Sequence, residues 1–255
     1  MKTNVVANQK GGIGKTSTAV QLAFDAMERK IRTVFIDLDP QANASDALEA
    51  YGCSVNASML FADSADVATL LADALESNPL LLLIQADDLL ANLEKKEFKD
   101  VAPHFKHAIQ VLGELGFELC LIDTPPTIGN ALAAALYAAD YVLCPIEPER
   151  FSMKGIKKMY ATITNIRRFN PDLKFLGMVP NMVDGRKLRH RENVAALRES
   201  YPDLVAPVSV GLRDSIADAM ADGIPVWHIK KTAARKAAKE VRELAKYVFE
   251  KMEIV

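Results

Sequence analysis

Short, almost continuous apolar runs alternate along the chain with longer stretches whose apolar residues recur at helical spacing. Apolar runs of this kind predict strands buried on both faces, and the helical stretches between them predict parallel neighbours. We therefore predict a doubly wound α/β fold with a mostly parallel sheet, formed by a single domain over residues 1–255. The predicted strands cover residues 4–7, 33–37, 80–85, 119–123, 141–146, 175–179 and 205–210. The segment 42–100 is the least regular, and we expect a loop and one or two short helices there beside its strand.

The first predicted strand leads directly into a glycine-rich segment, KGGIGKTS, which occupies residues 10–17. Its glycines allow a tight turn whose backbone N–H groups approach phosphate oxygens, and the helix that follows adds its positive N-terminal dipole. Lys15 stands where a phosphate-loop lysine reaches the β- and γ-phosphates, and the Thr16 hydroxyl can bind Mg²⁺. A glycine-rich turn without a ligand is the alternative, but it requires neither side chain. Lys10 has no role inside its own loop.

Acidic residues lie at the carboxyl ends of three predicted strands, at Asp37, Asp123 and Glu147. Asp123 ends the run 119–122 and can hold Mg²⁺ through water, opposite Thr16, as in a Walker B strand. Asp37 and Asp39 lie two residues apart, on one side of an extended segment, so both can face a nucleotide. Phosphoryl transfer to water needs a group that orients the water. We assign Asp39 to that role and Asp37 to the Mg²⁺ shell, although one of the two can instead have a structural role in an Asp-Pro turn.

Composition narrows the class of protein. The chain has 255 residues, half of them hydrophobic, and a formal net charge of −2, which suits one soluble α/β domain with a large core. We expect no leader and no membrane span, and therefore a cytoplasmic protein. Its three cysteines are widely spaced, which favours buried reduced thiols over a disulfide, and its four histidines form no visible metal-ligand set.

Charge is distributed unevenly along the chain. Nine acidic residues against three lysines give residues 63–100 a balance of −6, which fits either a partner-binding surface or a solvated face. Eight basic residues against three glutamates give residues 230–251 a balance of +5, which predicts a polyanion near the C-terminus. Within a predicted helix over residues 231–252, steps of four, four, three and four place five cations on one stripe, although a solvated basic face is also possible. These are Lys231, Arg235, Lys239, Arg242 and Lys246.

Three motifs in this order, KGGIGKTS, DLDPQAN and LIDTPP, resemble those of the deviant Walker ATPases of the ParA and MinD group. Later segments, such as AADYVLCPIEPERFSMKGI and VGLRDSIADAMADGIPVW, resemble ParA partition proteins, above all the IncC type. The similarity extends over essentially the whole chain and is weakest at residues 53–105.

This resemblance implies a set of roles. Lys10 matches a lysine that crosses a dimer interface to the phosphates of the other subunit's ATP. Asp39 matches the residue that positions water, and Thr16 and Asp123 match the Mg²⁺ residues. The implied ATP and ADP contacts also include Gly11, Gly12, Ile13, Gly14 and Lys15 of the loop, Ser17 near the α-phosphate, and Asn181 and Pro207 beside the adenine.

The resemblance also implies partners. ParA proteins bind double-stranded DNA without sequence preference as ATP-bound homodimers on the nucleoid, and a ParB-type centromere-binding protein stimulates hydrolysis. Arg213 matches one DNA-contacting arginine, and Arg235 or Lys236 matches another. We expect no N-terminal helix-turn-helix domain, because no room for one precedes the first strand.

Three other classes share this scaffold. The first is a MinD-like membrane ATPase, for which Val248, Phe249, Met252, Ile254 and Val255 supply some apolar character near the C-terminus. The second is an electron-transfer or cluster-carrier ATPase, which needs cysteines at the dimer axis; Cys120 and Cys144 lie inside predicted strands instead. The third, a small-molecule synthetase, is disfavoured by the ParA-like segments after residue 140.

Overall fold

The computed structural model describes residues 1–62, 67–73, 79–149 and 152–254. Within them seven strands form one sheet: β1 (Lys2–Val6), β2 (Thr33–Asp37), β3 (Gly52–Asn56), β4 (Leu81–Gln85), β5 (Leu119–Asp123), β6 (Tyr141–Ile146) and β7 (Lys174–Pro180). Their order across the sheet is β3-β4-β2-β5-β1-β6-β7, and every neighbouring pair is parallel.

Helices connect these strands and cover both faces of the sheet. Those of the described residues are α1 (Lys15–Glu28), α2 (Asn43–Ala47), α3 (Val67–Asp73), α4 (Phe98–Glu114), α5 (Asn130–Ala138), α6 (Ser152–Ile166), α7 (Leu188–Ser200), α8 (Asp214–Ala221) and α9 (Ala234–Lys251). Short 3₁₀ segments lie at Glu49–Tyr51, Ala57–Phe61, Asp88–Lys95 and Val226–His228. The predicted doubly wound, parallel architecture is confirmed.

Two apolar cores, one on each face, hold the layers together. Side chains of α4 and α5 pack on one face of the sheet, where Phe105 and Leu136 are both fully buried. Helices α1 and α9 pack on the other face, where Phe24, Val248 and Phe249 are at most 1% exposed. Alternate residues of the central strands supply both cores, which explains why these strands are apolar throughout.

The observed strands differ from the predicted ones in two places. Strand β3 was not predicted, because its edge position leaves it partly exposed and its sequence, GCSVN, is not an apolar run. Residues 205–210 form no regular strand, although they run beside β7 through an isolated bridge from Met178 to Val205. Pro207 has no N–H to donate to a ladder, and Arg198 donates to the carbonyl oxygens of residues 206–208.

The C-terminal helix is shorter than predicted. It begins at Ala234, and Lys231 lies in the preceding turn, where its carbonyl oxygen accepts a hydrogen bond from the backbone N–H of Ala234 at 2.9 Å. Lys231 is therefore not part of a helical stripe. In the predicted acidic segment, Asp63, Asp66 and Glu76 lie outside the described residues, and Asp73 is described by its backbone alone.

Candidate functional site

The glycine-rich loop joins β1 to α1 at the carboxyl edge of the sheet. Gly14 has φ +80°, in the left-handed region that favours glycine, and an added Cβ would lie 2.3 Å from the side-chain nitrogen of Asn181. That amide nitrogen donates to the carbonyl oxygen of Ile13 at 2.8 Å and lies 3.4 Å from the carbonyl oxygen of Gly14. Asn181, predicted beside the adenine, thus holds the loop itself.

An open cavity of about 580 Å³ lies over this loop. Lys15 is only 6% exposed at its floor, and burial lowers the pKa of its ammonium group, against the opposing effect of Asp123 and Asp39. The cavity is lined by Gly11, Gly12, Gly14, Lys15, Thr16, Ser17, Asp39, Gln41, Asn43, Pro126, Asn181, Met182, Gly211, Leu212, Arg213, Asp214, Ile216, Ala217 and Met220. A cavity lined by both polar and apolar residues fits a nucleotide, whose phosphates and base differ in the same way.

Asp123 ends β5 directly opposite Asp37 of β2, because the two strands are parallel neighbours in register. The side chain is fully buried, and neither carboxylate oxygen has a hydrogen-bond partner of good geometry in the described part of the chain. Burial raises its pKa to about 8, with a further contribution from Asp37, while the nearby Thr16 hydroxyl and Lys15 lower it. An unpaired buried carboxyl is costly unless a cation compensates it, so Asp123 and Thr16 fit a Mg²⁺ site.

The two aspartates after β2 are arranged differently from each other. Asp37 accepts hydrogen bonds from the backbone N–H groups of Asp39 and Ser45, at 3.0 and 2.9 Å, and from the Ser45 hydroxyl at 2.8 Å. Burial raises the pKa of Asp37, and these hydrogen bonds oppose that rise. Its carboxylate therefore fixes the turn that presents Asp39. Asp39 itself lines the cavity, where its Oδ1 accepts from the N–H of Gln41 at 3.1 Å.

Lys10 lies on the rim of the site with 58% of its side chain exposed. Its N–H donates to the Asn8 side-chain oxygen at 3.1 Å, and Asn8 in turn donates to the carbonyl oxygen of Pro145 in β6 at 2.7 Å. The Lys10 ammonium group pairs with Glu147, which directly follows β6. Lys10, the first lysine of the motif, thus points out of its own loop, whereas Lys15, the second, points into it.

The predicted basic surface divides into two groups. Four exposed side chains on α9 remain directed to solvent, and the ion pairs of two of them are long, from Lys239 to Glu243 at 3.8 Å and from Lys246 to Glu250 at 3.7 Å. Such exposed pairs contribute little, so the cations stay available. The four are Arg235, Lys236, Lys239 and Lys246.

The remaining predicted cations are engaged within the protein. Arg242 pairs with the fully buried carboxylate of Asp25 at 2.6 Å and with Glu28, and its guanidinium lies 3.7 Å from the ring centre of Trp227. Lys231 pairs with Asp218 at 2.6 Å. Arg213 pairs with Glu240 at 2.7 Å and also lines the cavity. Arg242 therefore joins α9 to α1 instead of extending an outer stripe.

Other predictions for the cavity are also modified. Pro207 is exposed and does not line it, since its carbonyl oxygen accepts from Arg198 at 2.8 Å. Met182, Leu212, Ile216 and Met220 supply apolar lining instead. No local pattern indicated these four, because they come from the loop after β7, from the segment before α8 and from α8, which only the fold brings together. All three cysteines are free thiols, with Cys53 only partly buried.

The similarities to known proteins agree with this geometry. The model of a family described as an AAA domain matches residues 1–175. Protein IncC from Escherichia coli is 55% identical over 257 residues, which cover all of this chain and 71% of the relative. The chromosome partitioning protein ParA from Myxococcus xanthus is 29% identical, over 94% of this chain and 87% of the relative. The chain belongs to the ParA family of partition ATPases. It is accordingly an ATPase.

The ParA-type fold is also shared by solved structures. Apo McdA from Cyanothece has a TM-score of 0.75 and 25% identity, over 95% of this chain and 98% of its own. No helix in the described segments of this ParA-family chain combines the length and apolar character needed to cross a bilayer.

Proposed function

We propose that this ParA-family ATPase is an ATP-controlled switch for DNA partition. ATP joins two copies into a homodimer, the dimer binds double-stranded DNA without sequence preference, and hydrolysis stimulated by a ParB-type partner releases it. The single observation that carries the proposal is Lys10, which is exposed on the rim while Lys15 is buried at the floor of the cavity. A cation directed outward beside a phosphate site is suited to the phosphates of a nucleotide held by a second copy.

ATP and ADP would lie along the cavity, with their phosphates over residues 11–17 and their base among the apolar side chains near Met182. Lys15 is suited to the β- and γ-phosphates, since its buried ammonium group gains most from an anion at close range. The helix dipole of α1 adds to the same attraction. Lys10 of the second copy would contribute one further charge, so dimerisation and ATP binding would stabilise each other.

Thr16 and Asp123 would hold Mg²⁺, which when bound neutralises charge on the phosphate oxygens. Asp39 would orient the attacking water, because its backbone is held by Asp37 and its carboxylate faces the cavity. We propose that the role of Asp37 is to fix this turn and to support the metal shell indirectly. Without a partner, hydrolysis should be slow, since Lys15 and one Mg²⁺ leave part of the transition-state charge uncompensated in a single copy.

The exposed face of α9 is the proposed DNA surface. Its four exposed cations, Arg235, Lys236, Lys239 and Lys246, are doubled in a dimer, and Arg213 and Lys231 would join them if their internal pairs opened. With about six to ten phosphates contacted, affinity would fall by roughly 10³ to 10⁵ between 50 and 200 mM salt. A flat salt titration of the ATP-bound protein would remove this surface from the proposal.

A membrane-binding role has less support than DNA binding. Val248, Phe249 and Met252, which would have to enter lipid, are at most 1% exposed and belong to the core against α1. An amphipathic helix cannot insert a face that is already packed. We therefore propose a cytoplasmic, nucleoid-associated protein, and sedimentation with vesicles against binding to DNA, both with ATP, distinguishes the two.

DNA binding measured by fluorescence anisotropy with ATP, with ADP and without nucleotide tests the proposal. Wild-type protein should bind strongly with ATP alone, and Lys15→Ala should lose all nucleotide dependence. Asp39→Ala should bind DNA with ATP but fail to hydrolyse it, even with the ParB-type partner. Equal DNA affinity in all three nucleotide states would contradict the switch, and wild-type turnover by Asp39→Ala would remove that residue from its role.

A further inference from the structure

Glu240 connects the DNA-facing helix α9 to the wall of the nucleotide cavity. One carboxylate oxygen accepts from the backbone N–H of Gly211 at 2.9 Å and from Nε of Arg213 at 3.3 Å, and the other accepts from Nη2 of Arg213 at 2.7 Å. Both side chains are largely shielded, at 26% and 16% exposed. Charge-assisted hydrogen bonds in this fork geometry are stronger and more specific than the exposed pairs elsewhere on the helix.

The segment that Glu240 holds is linked to the phosphate loop through the chain after β7. The N–H of Val183 donates to the carbonyl oxygen of Val210, and the N–H of Leu212 donates back to Val183, both at 3.1 Å. Two residues earlier, Asn181 donates to the carbonyl oxygen of Ile13 in the loop itself. Hydrogen bonds joined by short stretches of backbone therefore link the phosphate loop to α9.

Arg213 lies at the junction of two cavities. It lines the nucleotide cavity and also a second cavity of about 640 Å³ that opens beside the start of α9, where Lys231 and Lys236 are neighbours. Three of the cations around this second cavity, Arg186, Arg213 and Lys231, are paired with carboxylates of the same chain. Any polyanion that bound here would have to compete with those carboxylates.

We propose that Glu240 is a positioning residue that keeps Arg213 from DNA until a nucleotide fills the adjacent cavity. Nucleotide contacts with the wall at residues 211–214 would break the pair between Arg213 and Glu240, and Arg213 would then bind a DNA phosphate. ATP binding would therefore control the availability of Arg213 as well as dimerisation. This inference rests on the proposed DNA-binding function and adds the residue that regulates it. It predicts that Glu240 lowers DNA affinity in the absence of nucleotide, although it makes no contact with either ligand.

The test compares Glu240→Gln with Glu243→Gln, which removes the same charge one turn away from a long, exposed pair. Each variant is titrated with a DNA duplex, with and without ATP, and separately with a fluorescent ATP analogue. Glu240→Gln should bind DNA without nucleotide on the order of tenfold more tightly than the control, so that the advantage given by ATP shrinks by that factor. Adding Arg213→Gln to this variant should cancel the gain. The analogue should bind Glu240→Gln several-fold more tightly than wild type, because nucleotide binding no longer has to break the pair between Glu240 and Arg213.

Equal nucleotide-free DNA affinity in the two single variants would overturn the inference, as would a gain that persists without Arg213. A gain of binding is not expected from a merely structural lesion, so a partly unfolded Glu240→Gln does not imitate support. If wild-type protein bound no DNA even with ATP, the proposed function would fail. The ATP-analogue titration would then decide the role of Glu240, and unchanged affinity in Glu240→Gln would overturn it.

Discussion

Replacing Asp123 by asparagine should change how the stability of the nucleotide-free protein depends on pH. Burial and the neighbouring Asp37 raise the pKa of Asp123 from 3.8 to about 8. Each pKa unit corresponds to about 1.4 kcal/mol, so ionising this group above pH 8 costs the folded state on the order of 5 kcal/mol relative to the unfolded chain. Asparagine has a similar shape and does not titrate.

Proton linkage at Asp123 determines whether the free energy of unfolding rises or falls with pH. Between pH 4 and 8 the folded protein binds the proton of Asp123 and the unfolded chain does not, so the contribution to stability is complete below pH 4 and is lost as pH rises through 8. Asp123→Asn should therefore gain free energy of unfolding over wild type progressively across that range. The same variant should lose Mg²⁺-dependent hydrolysis.

Urea unfolding at several pH values between 5 and 9, with chelator and without nucleotide, measures this difference. Asp46→Asn, which changes an exposed aspartate of α2, is the control and should follow the wild-type curve. Parallel curves for wild type and Asp123→Asn would refute the reasoning, because they would mean that the folded chain does not perturb this carboxyl.

Three further substitutions test separate contacts. Asn4→Leu should raise the free energy of unfolding by about 1 kcal/mol, since both polar atoms of this fully buried side chain lack a partner in the described residues, and thermal unfolding against wild type checks it. Arg242→Gln should lower it by about 2 kcal/mol by weakening the pair with Asp25, yet reduce ATP-dependent DNA affinity no more than Lys246→Gln does. Gly14→Ala should abolish binding of a fluorescent ATP analogue, because its methyl group would meet Asn181 and its φ is unfavourable; near-normal affinity would contradict the loop geometry.

Local sequence predicted the parts of the molecule that depend on local chemistry. The apolar strands, the glycine loop and the aspartates at strand ends follow from residue type and short spacing, and parallel order brings those strand ends to one edge. The bounds of β2, β5 and β6 match the prediction residue for residue. Strand β3 was not predicted, because an edge strand needs no continuous apolar run.

Contacts between distant segments could not be predicted in this way. Helical spacing placed Arg242 correctly on α9, but its partner Asp25 is 217 residues away, so no local pattern distinguishes an inward from an outward cation. The same holds for Asn181, which supports a loop 168 residues earlier in the chain. Sequence therefore located the basic helix and the glycine-rich loop, whereas the structure was needed to separate exposed cations from those engaged within the protein.

The central claim is that Lys10 acts on the nucleotide of a second copy and Lys15 on that of its own. Sedimentation velocity of wild type and Lys10→Ala, with ATP and Mg²⁺ in the Asp39→Ala background to prevent turnover, tests it most directly. Lys99→Ala, which removes another exposed, paired lysine, is the control and should dimerise like the parent protein. We predict that Lys10→Ala still binds the ATP analogue but stays monomeric and fails to bind DNA. Dimerisation of Lys10→Ala at the same protein concentration as the parent would contradict the account.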